Sequence, residues 1–259
     1  MSAFSEKATA FAALHRPGKP VTLFNAWDAG SAQAVAEAGA SAIATGSASV
    51  AAAHGCQDAE ELPLDLALAN AARIVAAVDL PVTIDFEGGY AADPSGVAAN
   101  IRRLAETGAV GCNVEDQVVG GEGLHPIAVQ AERIRAAREA AGEGFFINAR
   151  TDIFLKAKPE THDAAMVETA LERARAYAEA GADGFFVPLL ADLDLLAGLC
   201  AASPLPVNFM AFSGAPSAAE VASTGVARIS HGPFPYKMAM KALKEAAEAE
   251  YRDHQRRPA

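Results

Sequence analysis

A helix-forming run rich in alanine, then a glycine, then a short apolar stretch: this pattern recurs four times along the chain. It reads VAEAGASAIATG (35–46), LAETGAVGCNVED (104–116), YAEAGADGFFVP (177–188) and VASTGVARIS (221–230). Alanine, glutamate and leucine favour helix, and a glycine just past the helix end accepts a left-handed backbone. The strand that follows is apolar on both sides, as in a parallel sheet covered by helices. The same reading applied throughout predicts eight strands, near 21–25, 42–46, 82–86, 111–115, 145–149, 184–188, 206–210 and 227–230. Helical patterns fall near 29–39, 60–77, 95–107, 126–141, 162–180, 192–201 and 217–224, and the N-terminal MSAFSEKATAFAALHRPG reads as a further helix. Such strict alternation predicts a (β/α)8 barrel of the TIM type, a single domain over 1–259. Residues 234–259 form a C-terminal helical extension with Met238, Met240, Leu243 and Ala246 toward one side. An open doubly wound sheet is the alternative, but the first strand runs into FNAWDAGSA and not into GxGxxG.

Bulk properties narrow the function. With 51% hydrophobic residues in 259, the chain can bury one large core. A net charge of −11 disfavours a nucleic-acid or anionic-membrane partner. The three cysteines, Cys56, Cys112 and Cys200, are widely spaced and form no CxxC pair, which reads as free thiols in a reducing, cytoplasmic setting. No apolar run is long enough for a membrane span, and the N-terminus lacks the pattern of a signal peptide.

In a barrel of this type the chemistry sits where the strands end. Those ends carry Asn25, Trp27 and Asp28; Thr45-Gly46-Ser47, with Asp58 beyond; Asp85 and Glu87; Glu115-Asp116; Asn148, Arg150 and Asp152; Asn208; and Ser230-His231-Gly232. Asp85 and Glu87 are two residues apart, so on an extended chain they point the same way, with Phe86 toward the outer helices. Paired carboxylates repel unless a cation lies between them. With Glu115 from the adjacent strand they form an all-oxygen set suited to Mg2+ or Mn2+. Gly88-Gly89 allows a sharp turn or close approach. Arg150 has the planar fork that matches a carboxylate or phosphonate. Gly46 and Ser47 offer small residues and backbone N–H groups as an anion seat. Asp116 reads as a metal-side acid or an ion-pair partner, and His54 and His231 as acid/base groups or structural histidines. No lysine falls within a strand, which disfavours Schiff-base chemistry, and there is no GxSxG elbow.

The blocks FNAWDAGSA, ATGSASVAAAHGCQD, PVTIDFEGGY, NVEDQ, NARTD, VNFMA and ARISHGP, in this order, resemble the isocitrate lyase/phosphoenolpyruvate mutase superfamily over nearly the whole chain. The resemblance implies a Mg2+-dependent α/β barrel that makes or breaks C–C or P–C bonds in 2-oxo and 2-hydroxy acids. It implies Asp85, Glu87 and Glu115 as metal residues and Asp58 as an outer carboxylate. It further implies Gly46, Ser47, Arg150, Trp27, Asn208 and His231 around the substrate, with Asp58, Arg150 and Glu115 serving the reaction. It also implies a homo-oligomer, dimer or tetramer, with the last helix exchanged between subunits. The chain departs from the pattern after its fourth strand. EDQVVGGEGLHP (115–126) lacks the Lys-Lys/Arg-Cys-Gly-His run of isocitrate and methylisocitrate lyases, and also the Lys and Asn of the phosphonate branches. Gly120, Gly121 and Gly123 there suggest a small flexible lid.

The expectation is therefore a lyase acting on a small 2-oxo or 2-hydroxy carboxylate by C–C cleavage or decarboxylation through a pyruvate-enolate-like species. The alternatives are P–C chemistry on a phosphonate or phosphoenolpyruvate-like substrate, with Ser213-Gly214 and His231-Gly232 holding the phosphoryl group, and a non-catalytic barrel that binds a metal–carboxylate complex.

Overall fold

A computed structural model describes residues 3–256. All eight strands form where the sequence predicts them: β1 (Val21–Leu23), β2 (Ile43–Ala44), β3 (Val82–Asp85), β4 (Gly111–Glu115), β5 (Phe146–Arg150), β6 (Gly184–Phe186), β7 (Val207–Met210) and β8 (Arg228–Ser230). They pair in parallel in the order β1-β8-β7-β6-β5-β4-β3-β2. Between β1 and β2 the ring closes through a single bridge, Ala26 with Thr45, where the Ala26 N–H donates to the Ala44 carbonyl at 2.8 Å. The result is a (β/α)8 barrel.

The helices are α1 (Ala3–Ala13), α2 (Ala29–Glu37), α3 (Ser47–Ala53), α4 (Leu64–Ala77), α5 (Pro94–Glu106), α6 (Ile127–Ala141), α7 (Ala164–Glu179), α8 (Leu193–Ala202), α9 (Ala218–Ser223) and α10 (Phe234–Arg256). The glycines of the repeated pattern, Gly39, Gly108, Gly181 and Gly225, all take positive φ between 88° and 101°, as a left-handed helix stop requires. Side-chain caps start several helices: Asp28 for α2, Asp93 for α5, Asp163 for α7, Asp192 for α8 and Ser217 for α9. Two features differ from expectation. α3 lies in a segment with no predicted helix, and α4 begins at Leu64 and not at 60, because Ala59 and Glu60 are left-handed and Pro63 opens the helix.

Alternation along the strands divides the core in two. Ile43, Ile84, Cys112, Val114, Ile147, Phe185, Phe209 and Ile229 face outward and pack with Ile74, Leu104, Ile134, Leu171 and Leu196 of the helices. Inside, at the lower end, α1 plugs the barrel: Ala8 and Phe11 pack on Val21, Leu23, Ala44, Val110 and Phe146. α10 behaves differently. Beyond its first turns it runs over little of its own barrel, with Met238 59%, Leu243 64% and Tyr251 67% exposed. No helix among the described residues is long and apolar enough to cross a membrane.

Candidate active site

The strand C-termini surround a cavity of about 180 Å³. One wall is polar (Asn25, Ser47, Asp58, Asp85, Asn113 and Arg150) and the other largely apolar (Leu155, Phe186, Pro188, Met210 and Pro233).

Asp85, at the end of β3, accepts three hydrogen bonds. The backbone N–H and hydroxyl of Ser47 reach Oδ2 at 3.0 and 3.1 Å, and Asn113 Nδ2 reaches Oδ1 at 3.2 Å. Gly46 and Ser47 do form a turn at the start of α3, but the Ser47 N–H expected to receive a substrate anion is given to Asp85. The nearest anion to that turn is one the protein supplies itself.

Glu87 shares a small cavity with Asp85, but not by strand alternation. β3 ends at Asp85, and Glu87 takes φ +50°, so the two-residue alternation is broken between them. Its carboxylate instead accepts the Glu60 N–H at 2.6 Å and the Tyr90 hydroxyl at 3.3 Å, while Glu60 accepts the Tyr90 N–H at 2.7 Å. Ala59, Glu60, Glu87 and Tyr90 are all left-handed without being glycine, which places backbone strain in the two loops beside these acids, and Leu189 after β6 is left-handed as well. Arg133 props the second loop by donating to the Gly88 and Ala91 carbonyls. At Gly88 a Cβ would stand 2.9 Å from Val119 Cγ2, so glycine there admits the loop after β4. That loop is a tight hairpin, bridged between Gln117 and Leu124, and does not line the cavity.

Arg150, at the end of β5, is clamped. Nε and Nη2 donate to Asp152 at 2.6 and 3.0 Å, and Nη1 lies 2.9 Å from Glu115 Oε2. The Phe186 ring lies 5.7 Å from the guanidinium carbon. Burial lowers the guanidinium's pKa, but the charges of Glu115 and Asp152 outweigh it and hold it above the usual value. Two carboxylates do not exhaust a guanidinium's donors, so Arg150 keeps N–H groups for the cavity it lines. Asp116 is a structural anchor. It accepts from Arg173 at 3.0 Å, from the Tyr177 hydroxyl at 2.9 Å and from the Asp152 N–H at 3.0 Å.

Other expected site residues stand elsewhere. Glu115 sits behind Arg150, outside the cavity lining. Trp27 packs edge-on against Tyr236, in a small apolar cluster with Val50 and Leu62. Asn208 is buried in the barrel interior. His231 faces an outer groove with Ser213 and Phe24, its Nδ1 3.2 Å from the Leu23 carbonyl. The reason is local: β8 ends at Ser230, whose alternate position Gly232 lines the cavity, which turns the residue between them outward. His54 bonds the Val50 carbonyl at the end of α3. Conversely, Asn113 and Phe186 line the cavity unforeseen. Period-two counting would have found Asn113, two residues before Glu115.

The donor set suits a hard divalent cation. Asp85 and Asp58 share the cavity wall, with Glu87 beside them. Burial, then the charge of Asp85, raises the Asp58 pKa. Burial, then Asp58 and Asp85, pushes Glu87 up to about 7. Burial and the charges of Asp152, Asp85 and Glu87 raise the Glu115 pKa against the pull of Arg150. This is carboxylate charge in excess of what the protein compensates, all of it offered through oxygen. No preformed trio exists: among the described residues no three His, Cys, Asp or Glu side chains are grouped for a metal. An ion that keeps several waters, as Mg2+ does, needs few direct protein ligands.

This is a parallel α/β barrel with acids and an arginine gathered at its strand C-termini, and the comparisons identify its family. The phosphoenolpyruvate phosphomutase family model matches residues 11–250, so the chain belongs to that family, within the isocitrate lyase/phosphoenolpyruvate mutase superfamily of mutases, lyases and hydrolases. A crystal structure from Burkholderia cenocepacia J2315, provisionally described as a phosphonomutase, is 52% identical, covers 95% of this chain and 99% of its own, and superposes with a TM-score of 0.93. An uncharacterized Mycobacterium tuberculosis protein is 36% identical across 91% of this chain and 86% of its own. A 2,3-dimethylmalate lyase structure is 26% identical, with TM-score 0.83 over 98% of this chain and 89% of its own.

Proposed function

We propose that the chain is a Mg2+- or Mn2+-dependent lyase acting on a small 2-oxo or 2-hydroxy carboxylate, by C–C cleavage or decarboxylation through an enolate-like species. The observation that carries this reading is the two-sided cavity, with Asp58, Asp85 and Arg150 on one wall and Leu155, Phe186, Pro188 and Met210 on the other. Asp85 would hold the cation directly, with Asp58 and Glu87 reaching it through water. When bound, the cation would supply Lewis-acid stabilisation of negative charge developing on the substrate oxygen.

The chain's own residues do the rest. Arg150, fixed in place by Glu115 and Asp152, binds the substrate's anionic end and stays charged throughout. The apolar wall keeps water from the carbon that becomes carbanion-like. Asp58, at the cavity mouth with its pKa raised, is the group able to hold a proton near that carbon and return it. Ser47 and Asn113 keep Asp85 oriented.

The test is thermal unfolding with Mg2+, oxalate, or both, for wild type and Asp85→Ala, followed by a panel of 2-oxo and 2-hydroxy acids. Oxalate resembles a pyruvate enolate. A ligand that binds only the folded state raises the melting temperature. The expected result is a rise that needs both ligands and Asp85, with turnover abolished in the variant. A fully active Asp85→Ala would remove the metal assignment.

A second reading, P–C chemistry on a phosphonate, is favoured by the description given to the 52%-identical relative. Against it, His231 and Ser213 face the outer groove. Phosphate release in the same panel separates the two. Tight oxalate binding with no product from any acid would favour the non-catalytic barrel. The exposed Met238, Leu243 and Tyr251 on α10 support a homo-oligomer built through that helix. A chain that sediments as a monomer at every concentration would exclude it.

A further inference from the structure

The cavity holds more negative charge than positive. Among the described residues Asp58, Asp85 and Arg150 are the charged side chains of its lining, and Arg150 is already gripped by Glu115 and Asp152, which do not line it. A divalent ion would offset Asp58 and Asp85 and leave Arg150 as the one positive group on the wall. The neutral donors are committed too. Ser47 gives its N–H and its hydroxyl to Asp85, Ser230 gives its hydroxyl to the Phe209 carbonyl at 3.4 Å, and Asn25 gives an N–H to the Thr45 carbonyl at 2.7 Å. Asn113 gives an N–H to Asp85 at 3.2 Å, and its oxygen accepts from the Asn148 amide, which also donates to Asn208. The floor is thus a set of neutral amides bonded to one another.

No further cation lines the cavity. Lys156 and Lys158 are the only Lys or Arg residues in the loops that follow the strands, and both are exposed and outside the lining. Lys237 and Lys241 line the outer groove. Arg228, 1% exposed, lies in the barrel interior with Nη2 3.4 Å from Asn113 Oδ1. The wall facing Asp58 and Asp85 is Leu155, Phe186, Pro188, Met210 and Pro233. A second carboxylate turned toward it would lose its water and find no partner, a large cost for an anion. An alkyl group there would be buried, and each buried CH2 tightens binding roughly fourfold. The space is also small. A volume of about 180 Å³ holds about six waters at roughly 30 Å³ each, so beside a hydrated ion and one carboxylate there is room for a short chain.

We infer that the ligand of this cavity is a 2-oxo or 2-hydroxy acid with a single carboxylate and a short alkyl substituent, the alkyl group lying on the wall of Leu155, Phe186 and Met210. The inference rests on the proposed reading of the site and narrows it. Dicarboxylates are set aside, and so are phosphonates, which carry still more charge.

The test is calorimetric displacement of oxalate from the full chain in the presence of Mg2+. Racemic malate and racemic 2-hydroxy-4-methylpentanoate have nearly the same shape: two methyl groups of one stand where the other has two carboxylate oxygens. The alkyl acid should displace oxalate at a concentration at least tenfold lower than malate. Leu155→Lys adds a cation at the rim, where Leu155 is 36% exposed, and should cut that preference at least tenfold. Met210→Ala should weaken the alkyl acid at least threefold and leave oxalate and malate within twofold. Malate that competes as well as its isostere in wild type overturns the inference, and so does a preference unchanged in both variants. Malate binding that is tight in wild type and lost in Lys156→Ala or Lys158→Ala overturns it too, by moving the missing cation into the loop after β5. If oxalate itself does not bind, the proposed function fails and the inference with it. If oxalate binds and malate competes equally, the site stands and this inference alone falls.

Discussion

The two ends of this barrel are built from opposite chemistry. At the lower end Phe11, Val21, Leu23, Val110 and Phe146 close the ring with apolar contacts, and His15 is the one titratable side chain stacked among them, 4.2 Å between its ring and that of Phe146. At the upper end Asp58, Asp85, Glu87, Glu115, Asp152 and Arg150 crowd together, and four non-glycine residues stand in left-handed conformations beside them. The lower end is what a sequence optimised for stability would choose. The upper end accepts raised carboxylate pKa values and backbone strain, as functional sites do. The division of labour predicts that the two ends can be damaged separately.

The largest effect should follow from Arg150→Met. Removing one member of a buried ion-pair group leaves Glu115 and Asp152 uncompensated, which typically costs about 3–5 kcal/mol. Substrate and oxalate binding should be lost as well. Equilibrium urea unfolding and calorimetry would check both. A variant that is destabilised but still binds would show that Arg150 serves only the fold. Phe11→Ala should cost a similar or slightly smaller amount, roughly 3–5 kcal/mol for a buried aromatic, through cavity formation. Here KM and kcat should stay within about twofold of wild type when measured well below the melting temperature. A changed KM would break the comparison by coupling plug to site.

How much of this was legible beforehand divides along the same line. The eight strands were readable because a helix, a left-handed glycine and a covered strand each leave a compositional mark, as Gly39, Gly108, Gly181 and Gly225 demonstrate. Asp85 and Arg150 were readable because strand-end position plus charge is a local signal. Glu87 stands near Asp85 but not by strand alternation: β3 ends at Asp85, and the loop that carries Glu87 turns at φ +50°. Trp27 and His231 were expected around the substrate and instead pack against Tyr236 and Phe24, contacts set by where α10 and β8 lie in space. The clamp on Arg150 by two carboxylates, and the Asn113–Asn148–Asn208 wiring, depend on register between strands distant in sequence, which no window along the chain contains.

The smallest effect is the most discriminating, because the two ends should respond to pH with opposite signs. Burial, then the charge of Arg228, depresses the His15 pKa to about 3. The unfolded chain therefore takes up a proton near pH 6.5 that the folded chain refuses until about 3. The neutral ring's contribution is intact above pH 6.5 and is lost as pH falls through that window, about 2 kcal/mol by pH 5 at roughly 1.4 kcal/mol per unit. Glu87 runs the other way. Its folded pKa of about 7 lies above that of the unfolded carboxylate, so in metal-free protein its contribution is greatest at low pH and is lost as pH rises through 7. The two variants should therefore tilt the wild-type profile between pH 5 and 7 in opposite directions. Relative to wild type, His15→Gln should gain more stability on acidification and Glu87→Gln less. Urea midpoints at pH 5, 6 and 7 read the difference directly. Parallel profiles for the two variants would mean that the charge crowding at the upper end is relieved by some rearrangement of the carboxylates, and the case for a cation there would weaken with it.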